Sequence, residues 1–195
     1  MGQVQKDTEQ FQPDSQKDWR KWLQQHHDKK QAVWLLCYKM KTGVPTIRWS
    51  DAVDEALCFG WIDSTRRSVD EDSFIQLFTR RKPNSMWSKI NKEKVARLMA
   101  EGLMAPAGLN SIALAQQNGS WNLLDEAEEM LIPKDLEAAF RRHKGAKVYF
   151  LGLSHTLQKR LLVWLVLAKR DETRQKRITE IAELAGQQQL PKAFQ

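Results

Sequence analysis

Apolar residues recur along this chain with two different periods, and the change of period marks out its elements. Trp19, Trp22, Leu23 and His26 fall at i, i+3, i+4 and i+7, one face of a helix. Ser15, with Asp18 three residues on, marks its start, and the helix runs to about Asp28. Residues 32–40 are a short apolar and aromatic run ahead of Gly43 and Pro45, and predict a strand buried on both faces; a helix is the competing reading. Ser50 or Asp51 can cap a second helix with Val53, Ala56 and Leu57 as its stripe and Gly60 as its stop. Residues 62–69 and 74–80 then alternate about an acidic four-residue turn, as a β-hairpin does.

Helical spacing returns after Asn84 and Ser85, either of which can cap a third helix reaching Glu101, with Ile90, Val95, Leu98 and Met99 inward. A fourth helix opens at Pro106-Ala107-Gly108 and runs over 109–117. Further helices are expected over 133–143, 146–152, 156–170 (capped by Ser154) and 171–185. The pattern predicts an α+β fold, mostly helical, with a small antiparallel sheet of about three strands and a helical C-terminal part. The expected domains are an α+β core over 1–130 and a basic helical segment over 131–195.

Charge sharpens that division. Residues 1–140 hold 19 Lys/Arg against 20 Asp/Glu, a net of −1; residues 141–195 hold 12 against 4, a net of +8. Such a segment suits phosphate, nucleic acid or acidic lipid, although a solvated helix face reads the same way. Lys169, Arg170, Arg174 and Arg177 form the basic patch, the three arginines at i, i+4 and i+7. It lacks the aromatic interleaving typical of nucleic-acid binders, so nucleic acid ranks low among expected partners. The apolar run 161–168 is far too short for a membrane span, and the N-terminal residues lack the apolar core of a secretory signal, as well as a Ser or Thr at position 6 for myristoylation. A cytoplasmic location is the expectation. Cys37 and Cys58 sit among apolar residues and read as reduced buried thiols.

Known chemistries leave little trace. His26, His27, His143 and His155 have no partner at metal-ligand spacing, and there is no glycine-rich phosphate loop and no nucleophile elbow; no cofactor is expected. The polar set that core packing does not require is Asp63, Arg66, Arg81, Ser85, Ser88 and Asn91, flanked by Trp61 and Trp87. Arginines beside a helix start would hold a phosphate or carboxylate, so this set is the candidate ligand-binding site. Its architectural alternative is an Asp63–Arg pair with Ser85 and Ser88 as caps.

Four stretches resemble the YdeI/OmpD-associated family, whose members are also described as bacteriocin-protection proteins. They are Trp19-x-x-Trp22-Leu23 with Val33-Trp34-Leu35 and Lys39-x-Lys41-Thr42-Gly43; residues 54–64, Asp-Glu-Ala-Leu-Cys-Phe-Gly-Trp-Ile-Asp-Ser; Ser85-x-Trp87-Ser88-x-x-Asn91 leading to Gly102-Leu103-Met104; and Ala168-Lys169-Arg170-x-Glu172-Thr173-Arg174-x-x-Arg177-Ile178. Where the family reads Phe-Thr-Pro-Arg, this chain has Phe78-Thr79-Arg80-Arg81, which keeps a backbone N–H that proline lacks. The resemblance implies a bacterial stress-protection protein linked to bacteriocin and antimicrobial-peptide resistance, and supplies no catalytic residues. The expectation is a non-enzymatic cytoplasmic protein binding an anionic small molecule or partner protein. An enzyme acting on a small anionic substrate, with Asp63 as acid/base, is the alternative, and a nucleic-acid-associated protein the third.

Overall fold

The computed structural model describes residues 8–195; the stretch read for a leader and for myristoylation lies outside the described residues. The chain divides into two compact units, one running to Met86 and including Ile90–Trp121, the other formed by Trp87–Lys89 and Asn122–Gln195.

The first unit is a sheet with helices. Strand β1 (Gln10–Phe11) precedes helix α1 (Gln16–His26), where the Ser15 hydroxyl accepts the Asp18 N–H as the spacing predicted. Strand β2 (Ala32–Tyr38), helix α2 (Trp49–Cys58), the hairpin β3 (Trp61–Ser68) and β4 (Ser73–Arg80), and helices α3 (Lys89–Ala100) and α4 (Pro106–Gln117) follow. The strand order is β1-β2-β4-β3. The sheet is therefore mixed and four-stranded, not antiparallel and three-stranded: β1 pairs parallel to β2, while β2–β4 and β3–β4 are antiparallel. Two residues are too few to show an alternation, so the sequence signals β1 only as a short extended piece near Phe11.

Register explains the core. Val33, Leu35 and Cys37 lie opposite Phe78, Gln76 and Phe74, and Asp63 lies opposite Phe78, so these share one face. Trp19 meets Phe78 at 5.4 Å and Trp22 at 5.1 Å, and Trp22 meets Trp61 edge-on at 5.9 Å. Each such buried side chain contributes about 2 kcal/mol, with roughly 1 kcal/mol more for a well-placed ring pair. Gly60 turns the chain from α2 into β3 with φ +73°, a conformation side chains resist.

Several predicted boundaries move. Met40 leaves the strand for a short 3-10 turn. Helix α3 begins at Lys89, because the Ser85 hydroxyl accepts the Lys82 N–H and the Ser85 N–H donates to the Lys82 carbonyl, closing a turn over 82–85. Ile90 and Met99, expected inward, are 63% and 51% exposed; Val95 and Leu98 carry the buried side of α3. Arg80 uses the N–H that a proline would lack, donating it to the Gln31 carbonyl at 3.1 Å.

The second unit is helical: α5 (Asp125–Glu128), α6 (Lys134–Phe140), α7 (Ala146–Gly152), α8 (His155–Val166) and α9 (Asp171–Gly186). Its core comprises Leu136, Phe140, Phe150, Leu161, Leu162, Leu165, Ile178 and Ile181 among others. Helix α8 stops four residues short of its predicted end. Arg170 is extended (φ −118°, ψ 140°), and a new helix starts on Asp171 and Glu172, whose carboxylates favour a helix N-terminus. Among the described residues no helix is long and apolar enough to cross a membrane.

Candidate functional site

The predicted polar set separates in the fold. Asp63, half-buried on β3, accepts a hydrogen bond from the Trp49 indole at 3.1 Å and faces the buried Gln76 amide at 3.5 Å. A register shift between Asp63 and Arg66 sets the next residues differently. Arg66 is exposed, its guanidinium over the Phe74 ring at 3.6 Å. Trp61 is fully buried, with its indole N–H donating to the His27 carbonyl at 3.2 Å, so it fills the core rather than lining a pocket.

Arg81 follows β4, its N–H bonded to the Gly60 carbonyl at 2.9 Å and its Nη1 donating to the Met86 carbonyl at 3.1 Å. Burial pushes its guanidinium down to about 10, and the Asp63 charge opposes that shift. Ser85 is occupied in the 82–85 turn, which Asn118 secures through the Pro83 carbonyl at 2.8 Å. Trp87 is buried and Ser88 half-buried, both in the second unit; Asn91 is half-buried at the start of α3 in the first. Asp63 and Arg81 are thus electrostatic neighbours at the hairpin base, and Arg81 is already engaged by a carbonyl.

Two structural locks went unseen in sequence. Glu55 is 5% exposed; its carboxylate accepts from Arg20 Nη1 at 2.7 Å and from Gln16 Nε2 at 2.8 Å, joining α1 to α2, while Arg20 Nη2 reaches the Leu103 carbonyl at 2.7 Å. Asp54 binds Lys94 at 2.5 Å and also Arg97, joining α2 to α3. The residues one position apart in Asp54-Glu55 therefore serve different helices.

The basic patch also divides. Arg174 forms a two-point pair with Asp135 at 2.7 and 3.1 Å and reaches the Leu165 carbonyl at 3.4 Å. Arg177 donates to the Trp164 carbonyl and lies over the Trp164 ring at 4.8 Å. These two are internal ties of the helical unit, while Lys169 and Arg170 are exposed.

Three cavities stand elsewhere. One of about 680 Å³ lies at the hairpin tip among Tyr38, Lys41, Thr42 and Asp70–Asp72. A smaller one of about 290 Å³ lies between α3 and α4 around Val95, Met99, Ile112 and Trp121. The third, of about 600 Å³, follows α8: Thr156, Lys159, Arg160, Val163, Trp164 and Leu167, with His155 at its head and Phe194 beside it. None of these is lined by Asp63 or Arg81.

Residues 11–111 match the model of a family described as Domain of unknown function (DUF8412). The chain belongs to that family. Residues 129–188 match a second model, described as Bacteriocin-protection, YdeI or OmpD-Associated. The DUF8412 match spans β1 to α4, and so takes in Asp63, Arg81, Trp87 and the 54–64 stretch. The YdeI/OmpD-associated match spans α6 to α9, with the Asp135–Arg174 pair and the α8 groove residues 155–167 inside it. No curated protein and no solved structure matches the chain.

Proposed function

We propose that this DUF8412 protein acts by binding an anionic partner, and that its YdeI/OmpD-associated segment is the binding part. One observation carries the reading. The α8 groove is lined by Arg160 and His155 and by Lys159, which is already paired with Glu128, within a segment whose net charge is +8 over 141–195. A concave site with an excess of one sign attracts and orients a partner of the other. In this reading Arg81 serves the hairpin base, since its guanidinium is buried, already donates to the Met86 carbonyl and feels the Asp63 charge. The family description supports a protective role against bacteriocins, which we place in the cytoplasm as a response to stress.

The test is thermal unfolding of the full chain with polyglutamate and with polylysine across salt concentrations. Polyglutamate is expected to raise Tm at low ionic strength, with the effect fading as the Debye length falls below about 8 Å above physiological salt. Polylysine is expected to leave Tm unchanged. Stabilisation by polylysine, or no response to polyglutamate at low salt, overturns the reading.

A further inference from the structure

The α8 groove has more character than its charge. Thr156, Arg160, Val163 and Leu167 recur at i, i+4, i+7 and i+11, the rows that make one helix face. Of these Val163 and Leu167 are apolar, and Trp164 and Phe194, whose rings meet edge-on at 5.4 Å, extend the apolar part of the groove. Each ring carries an arginine: Arg160 lies over Phe194 at 5.2 Å and Arg177 over Trp164 at 4.8 Å. Stacking spends the face of a guanidinium and leaves the N–H edge of Arg160 for carboxylates, while Arg177 already donates to the Trp164 carbonyl. Leu167, at the far end, is 42% exposed.

The same helix already holds an occupant of matching chemistry at the groove's Lys159. The acidic turn α5 packs against α8, burying Ala127 in the unit core and joining Glu128 to Lys159. An acidic, amphipathic helical turn therefore fits α8 with its apolar residues inward and its carboxylates on the basic rim.

Resting on the anionic-binding reading above, we infer that the α8 groove is a docking site for an acidic amphipathic helix of a partner protein. The partner helix lies along Thr156 to Leu167 with apolar side chains at helical spacing on Val163, Trp164 and Leu167. Its carboxylates meet Arg160 and His155. A stripe of about three turns is long enough to read such spacing, and the helix-in-groove mode recognises partners in this way.

The test uses the full chain and two fluorescent peptides of about five turns built from Leu and Glu, one with Leu at i, i+3, i+4 and i+7, the other with the same composition in scrambled order. The patterned peptide is expected to bind at least about ten-fold tighter. Leu167→Asp and Arg160→Glu each weaken it by about ten-fold, while Lys176→Glu, the same charge change on exposed α9 surface, changes it by less than about two-fold. Circular dichroism confirms that each variant is folded. Equal binding of the two peptides, or equal loss in Arg160→Glu and Lys176→Glu, overturns the groove and leaves the anionic reading standing. Failure of both peptides while polyglutamate still stabilises does the same; failure of polyglutamate as well removes both. Binding to phosphatidylglycerol vesicles that Leu167→Asp abolishes, without peptide binding, assigns the groove to lipid and overturns the inference.

Discussion

Glu55 shows how much a single residue can decide. It is a buried charge whose partners, Gln16 and Arg20, lie 39 and 35 residues away. Replacing it with Leu leaves Arg20, whose side chain is 28% exposed, to find water where it can. Such a half-broken pair costs about 3 kcal/mol, and the double variant Arg20→Met/Glu55→Leu is expected to recover part of that loss in urea unfolding. No loss in Glu55→Leu alone would remove Glu55 from the lock. Nothing in the local sequence signals this role, because a glutamate in an apolar stripe looks the same whether it faces water or a distant arginine. Trp61 shows the reverse limit. Its place beside polar residues suggested a pocket, but only its depth and the His27 carbonyl on its indole show that it is core. Ser15 and Gly60 were legible because capping and the αL turn are local requirements.

At the scale of elements, close approach governs. A Cβ added at Gly108 would sit 2.3 Å from the Cys58 carbonyl oxygen and 2.8 Å from that of Leu57, so α4 packs with its backbone directly against the end of α2. Gly108→Ala is expected to cost about 3 kcal/mol or more, read as a lowered Tm with an unchanged fold. Between α6 and α9, hydrogen bonds from Arg174 hold the Asp135 carboxyl below the ordinary aspartate range, helped by the Leu136 N–H. A depressed acid pKa stabilises the fold above the unfolded value, and that contribution disappears as pH falls through the folded one. Arg174→Met is therefore expected to lose about 1 kcal/mol at neutral pH, with the gap to wild type closing in acid; a gap that persists at low pH would mean the pair is not its source. The elements themselves were largely legible. Phe74, Gln76 and Phe78 alternate clearly enough to give the hairpin, whereas α3 and α8 lost residues to a turn and to a new helix start whose competition no single window contains.

For the whole molecule, the division of chemistry between units gives each its own probe. Cys37 and Cys58 are both buried in the first unit, where burial pushes each thiol up to about 11. Six of the eight tryptophans also belong there: Trp19, Trp22, Trp34, Trp49, Trp61 and Trp121. Thiol labelling at pH 8 is expected to be negligible in the native protein, and to appear along the denaturant curve together with the change in tryptophan fluorescence. Labelling ahead of the fluorescence change would reveal a local opening around one cysteine. The charge imbalance that marks the C-terminal part was readable from composition. The groove on α8 was not, because Phe194 reaches it from the chain's end.

The order of the sheet has a consequence for solubility. Strand β4 carries an apolar run, Phe74 to Phe78, with the composition of an aggregation-prone segment. It sits in the interior of the sheet, sheltered between β2 and β3. The described edges are poor templates for a second chain: β1 offers only two residues, and β3 is interrupted by its register shift and carries Arg66 and Arg67. Pairing of β4 with a second chain is thereby blocked in the folded molecule, and its hazard is confined to the moments when β4 is unpaired.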